Sequence, residues 1–99
     1  NIHRYASFEV YNNVGYFYNY LATNFVNRQY FDQAISNLNN AISINPYHPK
    51  AYHNRGIAYF NLGNNFRLPT KPQACNDFLK ACQLGEKSAC NTYNNTGCR

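Results

Sequence analysis

The side chains able to do chemistry in this sequence are four cysteines (Cys75, Cys82, Cys90, Cys98), three histidines (His3, His48, His53) and four acids (Glu9, Asp32, Asp77, Glu86). The acids fall in four separate segments and the histidines do not pair with them, so spacing spells out no acid–base couple and no activated nucleophile. No glycine-rich phosphate loop occurs either. A zinc site usually draws on close-set pairs such as Cys-x-x-Cys, and cysteines seven or eight residues apart do not supply one. The expectation is a protein without catalysis, metal or cofactor. His48, between Pro46 and Pro49, reads as a solvated turn residue.

The cysteines have a second chemistry, oxidative pairing. Cys75 and Cys82 are seven residues apart on one expected helix, hence about 10 Å apart along its axis, too far to bond each other. A turn near Gly85-Glu86 leaves Cys82 and Cys90 each about four residues away, and Cys75 and Cys98 each about eleven or twelve. Equal distances from a turn face each other in an antiparallel hairpin, so the expected bridges are Cys82–Cys90 and Cys75–Cys98. Four free thiols in a cytosolic protein are the alternative. Each bridge would contribute about 2–4 kcal/mol and would place the chain in an oxidising compartment, periplasmic or extracellular.

Around these residues lie 99 positions, enough for one domain, 1–99. Charged residues make up 13%, against about 25% in an average protein, while there are 18 asparagines and 10 tyrosines. Amides and phenols must therefore keep the surface polar. With 44% hydrophobic and 17% aromatic residues the chain can build a core. The net charge of +5 comes from nine basic residues spread from Arg4 to Arg99 without a patch, which disfavours nucleic-acid binding. No apolar run approaches the roughly 18 residues of a membrane span. The chain starts at Asn1 without a charged-then-apolar leader, as expected for a fragment or for a chain whose leader has been removed.

Self-similarity organises the rest. Tyr11 to Phe25, YNNVGYFYNYLATNF, lies over Tyr52 to Phe66, YHNRGIAYFNLGNNF, at a constant offset of 41 with seven identities in 15 positions. QAISNLNNAISIN from Gln33 lies over QACNDFLKACQLG from Gln73 at an offset of 40. Within each unit the period is helical: Tyr11, Gly15, Tyr18, Leu21 and Phe25 form one stripe, repeated by Tyr52, Gly56, Tyr59, Leu62 and Phe66. Ala34, Leu38 and Ala41, matched by Ala74, Phe78 and Ala81, mark a second helix. Small residues alternate with large ones, so two antiparallel helices can approach to about 8–10 Å. The spacing predicts helices over 8–26, 29–44, 50–62, 72–84 and 87–95, with Gly63 ending the third and RLPTKPQ forming a loop after it.

At these residues the chain resembles the tetratricopeptide repeat (TPR) family. Its aromatic, Leu-Gly and Tyr of helix A look like Tyr11, Val14-Gly15 and Tyr18, and again like Tyr52, Gly56 and Tyr59. Its helix B pattern looks like Ala34, Leu38, Ala41 and Pro46, then Ala74, Phe78 and Ala81. The family unit is about 34 residues, so each copy here carries extra residues, expected as a longer inter-helix loop. A frame using Tyr18, Leu21, Ala22 and Phe25 needs no insertion in the first unit, but the constant offset favours the first frame. Arg55 stands where the family prefers Leu, and Gly85 near an expected Pro.

The resemblance implies an all-α fold: two antiparallel helical hairpins of about 40 residues and a C-terminal capping helix, a short right-handed α-solenoid. Its parts are a leader arm (1–10), repeat 1 (11–46), repeat 2 (47–85) and a disulfide-stapled cap (86–99). The stretch ACNDFLKACQLGEKSAC is also similar to the cysteine-rich Sel-one-like repeats of exported bacterial proteins, where two "AC" pairs with seven residues between the cysteines are bonded, as at Cys82 and Cys90.

TPR likeness further implies a peptide or protein partner in a groove lined by helix A. Register carries the groove onto Glu9, Asn12, Tyr16 and Asn19 in the first unit, and Lys50, His53, Asn54, Ile57 and Phe60 in the second. Amides for backbone hydrogen bonds and aromatics for contact area suit an extended peptide; the plain alternative is solvated helix surface. Only Asn54 fits the family's carboxylate clamp, which disfavours a chaperone co-factor. A second expectation is self-assembly into an extracellular filament or larger complex, since stacked solenoid units make heterologous contacts. Asn94-Asn95-Thr96 has the pattern of a glycosylation acceptor.

Overall fold

The computed structural model describes residues 2–98, with side chains from Phe8 onward. It contains five helices: α1 (Ile2–Asn24), α2 (Arg28–Ile44), α3 (Pro49–Phe66), α4 (Lys71–Gln83) and α5 (Lys87–Asn95). α1 and α2 form one hairpin, α3 and α4 a second, and α5 packs on α4.

Each hairpin closes around a glycine. A Cβ on Gly15 of α1 would stand 2.5 Å from Leu38 Cγ of α2, and a Cβ on Gly56 of α3 would stand 2.6 Å from the Phe78 ring of α4. Leu38 and Phe78 are fully buried, and so are the alanines beside them, Ala34, Ala41, Ala74 and Ala81. The same glycine-to-large-residue contact in both hairpins reproduces in space the offset of about 41 seen in the sequence.

The residues beyond the 34-residue unit do not form long loops, a correction to the sequence expectation. They lengthen helices, leaving only 25–27 and 67–70 as links within the hairpins. α3 runs through Gly63 to Phe66, and Arg67, with φ of 55°, turns the chain in the left-handed region. Gly63 makes room for that link, since a Cβ there would stand 2.5 Å from Thr70 Oγ1, which donates to Tyr59 O at 2.6 Å. Residues 2–10, set apart above as a leader arm, are backbone turns of α1. Asn27 caps α2 by accepting from Gln29 N–H at 2.8 Å, and Pro49 and Pro72 sit in the first turns of α3 and α4, where no amide donor is missed.

Arg55 ties three helices together. Its Nε and Nη2 donate to the two Asp77 oxygens at 2.8 Å each, Nη1 donates to Asn39 Oδ1 at 2.8 Å, and the rings of Tyr52 and Tyr59 flank it at 5.7 and 6.0 Å. Asp77 is 4% exposed. Burial is the stronger influence on its carboxyl and pushes it up from 3.8, against the pull of the Arg55 hydrogen bonds and charge. Hydrogen bonding to Asp77 in turn holds the Arg55 proton more firmly than usual.

Beyond the turn at Gly85, φ 105°, two disulfides join the C-terminal segment to α4: Cys82–Cys90 with Cα atoms 4.7 Å apart and Cys75–Cys98 at 5.5 Å. Ala89 of α5 is buried against Tyr52 and Ala81. The bridges are compatible with an oxidising compartment. Because a methyl at position 56 must displace a buried ring, Gly56→Ala is expected to cost about 1–3 kcal/mol. This would be read as a lower urea midpoint, and Gly56→Ala/Phe78→Leu should recover part of it; an unchanged midpoint in the single variant would refute the close-approach account.

Candidate partner-binding groove

α1 and α3 meet through amides. Asn12 and Asn19, two helical turns apart on one face of α1, are each 7% exposed. Asn54 Nδ2 on α3 donates to Asn12 Oδ1 at 3.0 Å, and Asn19 Nδ2 donates to the Asn54 backbone carbonyl at 2.8 Å. Asn19 Oδ1 is buried with no partner, which costs about 1–3 kcal/mol where nothing compensates it.

Two hollows open over this floor. One, of about 240 Å³, is lined by Asn12, Asn13, Tyr16, Lys50, His53, Asn54 and Glu86. The other, of about 280 Å³, is lined by Tyr16, Asn19, Tyr20, Thr23, Asn24, Asn54 and Ile57. Tyr16 and Asn54 border both, so the hollows form one groove. Tyr16 and Tyr20 stand 62% and 59% exposed along its α1 wall.

Of the residues carried over by register, Asn12, Tyr16, Asn19, Lys50, His53, Asn54 and Ile57 come together here. Glu9 is exposed and lines neither hollow. Phe60 is half-buried and lines neither hollow, its ring 6.5 Å from that of Phe78. Asn13, Tyr20, Thr23, Asn24 and Glu86 were missed; the α1 four are helical neighbours of the expected positions, whereas Glu86 arrives through the α4–α5 turn. Asn94 is exposed near the end of α5.

The charges at the mouth are modest. Lys50 Nζ is 3.9 Å from Glu86 Oε2 and its side chain is 65% exposed, a pair of small energetic weight. His53 is more constrained. The Thr92 hydroxyl donates its proton to Ser88 O at 2.9 Å, so at 3.1 Å it accepts from His53 Nε2, leaving Nδ1 the acceptor in the neutral ring. Burial pushes His53 below 6.5, with Glu86 pulling up and Lys50 down. Burial lowers His48 in the same way, with Glu9 pulling up. Among the described residues no three His, Cys, Asp or Glu side chains lie close enough to hold a metal ion.

Residues 25–63 match the family model of the TPR repeat. The TPR match spans the α1–α2 link, all of α2 and most of α3, and so covers the junction between the hairpins, the element that sets α3 beside α1. The five-helix architecture is consistent with a TPR-like helical repeat, a fold that suggests a protein-interaction module. No curated protein and no solved structure matches the chain.

Because His48 and His53 bind protons less readily folded than at the unfolded 6.5, the unfolded chain takes up more protons as pH falls through that window. Stability is therefore expected in full above about pH 6.5 and to decline toward pH 5. Asp77, with its raised carboxyl, acts in the opposite sense at more acidic pH. His53→Gln, which keeps a donor toward Thr92, should flatten the decline in urea midpoints measured from pH 7.5 to 5; an equal slope in the variant would exclude His53 as its source.

Proposed function

We propose that the protein is a non-enzymatic binding module that holds an extended segment of a partner protein in the α1–α3 groove. The observation that carries this reading is the groove itself, two adjoining hollows floored by Asn12, Asn19 and Asn54 with the rings of Tyr16 and Tyr20 exposed along one wall. The exposed rings of Tyr16 and Tyr20 offer a guest chain contact area at low entropic cost. Asn13, Asn24 and Asn54 add further amide groups along the groove.

Titrating the isotope-labelled chain with an array of short unstructured peptides tests the reading. Shifts are expected at Asn12, Tyr16, Asn19 and Asn54, and Tyr16→Ala, at an exposed position, should weaken the best peptide about tenfold or more with folding intact. Shifts confined to the outer faces of α2 and α4 would defeat the proposal.

We further propose export to the periplasm or outside the cell, supported by the two bridges and by the Sel-one-like spacing of Cys82 and Cys90. Acid-trapped native protein should take up no alkylating reagent until reduced. Four thiols labelled without reduction would return the chain to the cytosol. Self-association is a second reading, favoured by apolar side chains left exposed along α1.

A further inference from the structure

The outer face of α1 carries apolar side chains that nothing in the described chain covers. Val10 and Phe17 are each 54% exposed and Phe25, just past the helix, 65%; Val14 and Leu21 are half-buried between them. The repeat offset shows what this face is. Val10, Val14, Phe17, Leu21 and Phe25 precede Ala51, Arg55, Ala58, Leu62 and Phe66 by 41 residues. On α3 this stripe faces the preceding hairpin: Ala51 packs with Leu38 and Ala41, Arg55 bonds Asn39, Leu62 packs with Phe31, and Phe66 meets the Phe31 ring at 6.1 Å. α1 thus presents an inter-hairpin face with no described helix against it.

The residues on this face favour a second copy of the same helix. The steps from Val10 to Val14, Phe17 and Leu21 alternate four, three and four residues, as in a coiled-coil seam. No charged residue occurs between Glu9 and Arg28, so like faces meet without repulsion. With Val26 the face exposes roughly 400 Å² if each aromatic ring counts ~200 Å². Two copies then bury roughly 800–1,000 Å² once flanking amides are included, the size of a weak, reversible interface. The opposite end of the molecule is a poorer apolar complement, because α5 exposes Lys87, Ser88, Asn91, Asn94 and Asn95 and the neighbouring Leu79 of α4 is only 38% exposed. Head-to-tail growth into an open filament is therefore the poorer fit.

We propose that α1 docks antiparallel on α1 of a second copy, forming a closed two-fold dimer; this deepens the self-association reading and rests on it. An axis passing between Phe17 and Tyr18 sets Val10 opposite Phe25 of the second copy and Val14 opposite its Leu21. It also brings Glu9 within a turn of Arg28 of the second copy, whereas a parallel pair would set the two Glu9 carboxylates together. Asn12 and Asn19 lie on roughly the opposite side of α1 from this seam, so the dimer keeps both grooves open and binds a doubled ligand bivalently.

Sedimentation of the full chain from low to several hundred micromolar tests this. One copy should give way to two as concentration rises. Phe17→Asp, at a half-exposed site, should raise the dissociation constant about tenfold or more with an unchanged circular dichroism melt. Glu9→Arg should weaken the dimer and Glu9→Arg/Arg28→Glu restore it, a readout that stands even if Phe17→Asp melts early. A monomer at every concentration would overturn both the dimer and the self-association reading. Particles beyond two copies would keep self-association and overturn the closed dimer, as would a charge swap that fails to restore pairing.

Discussion

Two missing side chains set the distances in this molecule. Helices can approach no closer than their largest facing groups allow, and Gly15 and Gly56 remove the obstacle where Leu38 and Phe78 arrive. The alanine walls of α2 and α4 follow from the same approach, since only small residues fit on either side of the large one. With both hairpins held this tightly, α3 comes to lie beside α1 and the groove appears between them. The groove is thus a by-product of core packing, with Asn12, Asn19 and Asn54 filling the seam between α1 and α3.

Arg55 and Asp77 add a different kind of constraint. A chain with few charges places an ion pair where the resembled family uses leucine, and it buries the acid almost completely. Such a pair adds little net stability compared with well-packed apolar residues, yet losing one partner is costly because the other charge stays buried. Its geometry also admits few arrangements: two parallel bonds to one carboxylate, a third to Asn39 and tyrosine rings on the flanks. The pair fixes how α2, α3 and α4 stand relative to one another more than how firmly they cohere.

The sequence is most legible where packing imposes a period. The stripes around Gly15 and Gly56, and the Ala-Leu-Ala and Ala-Phe-Ala patterns facing them, can be read directly because small and large residues must alternate on contacting helices. Boundaries are less legible. Gly63 looks like a stop, but α3 continues because a glycine can also serve a link folded back onto the helix. Most groove positions follow from register, while Phe60, two turns beyond His53 on the same face of α3, lies outside both hollows. Glu86 enters the groove mouth through a turn, and no periodicity encodes a turn's reach. The amide contacts among Asn12, Asn19 and Asn54 are equally hidden, since asparagine pairs carry no spacing rule and this chain has asparagines throughout.

The Cys75–Cys98 bond also governs how the molecule transmits tension. A pull applied beyond Cys98 enters α4 through sulfur at Cys75 and bypasses α5. The segment between the two cysteines, which stand 23 positions apart in sequence, is withheld from stretching, roughly 80 Å of contour length at about 3.3–3.6 Å per residue. Under load the hairpins extend while the capped end keeps its length, so the C-terminus behaves as a rigid handle on a softer spring.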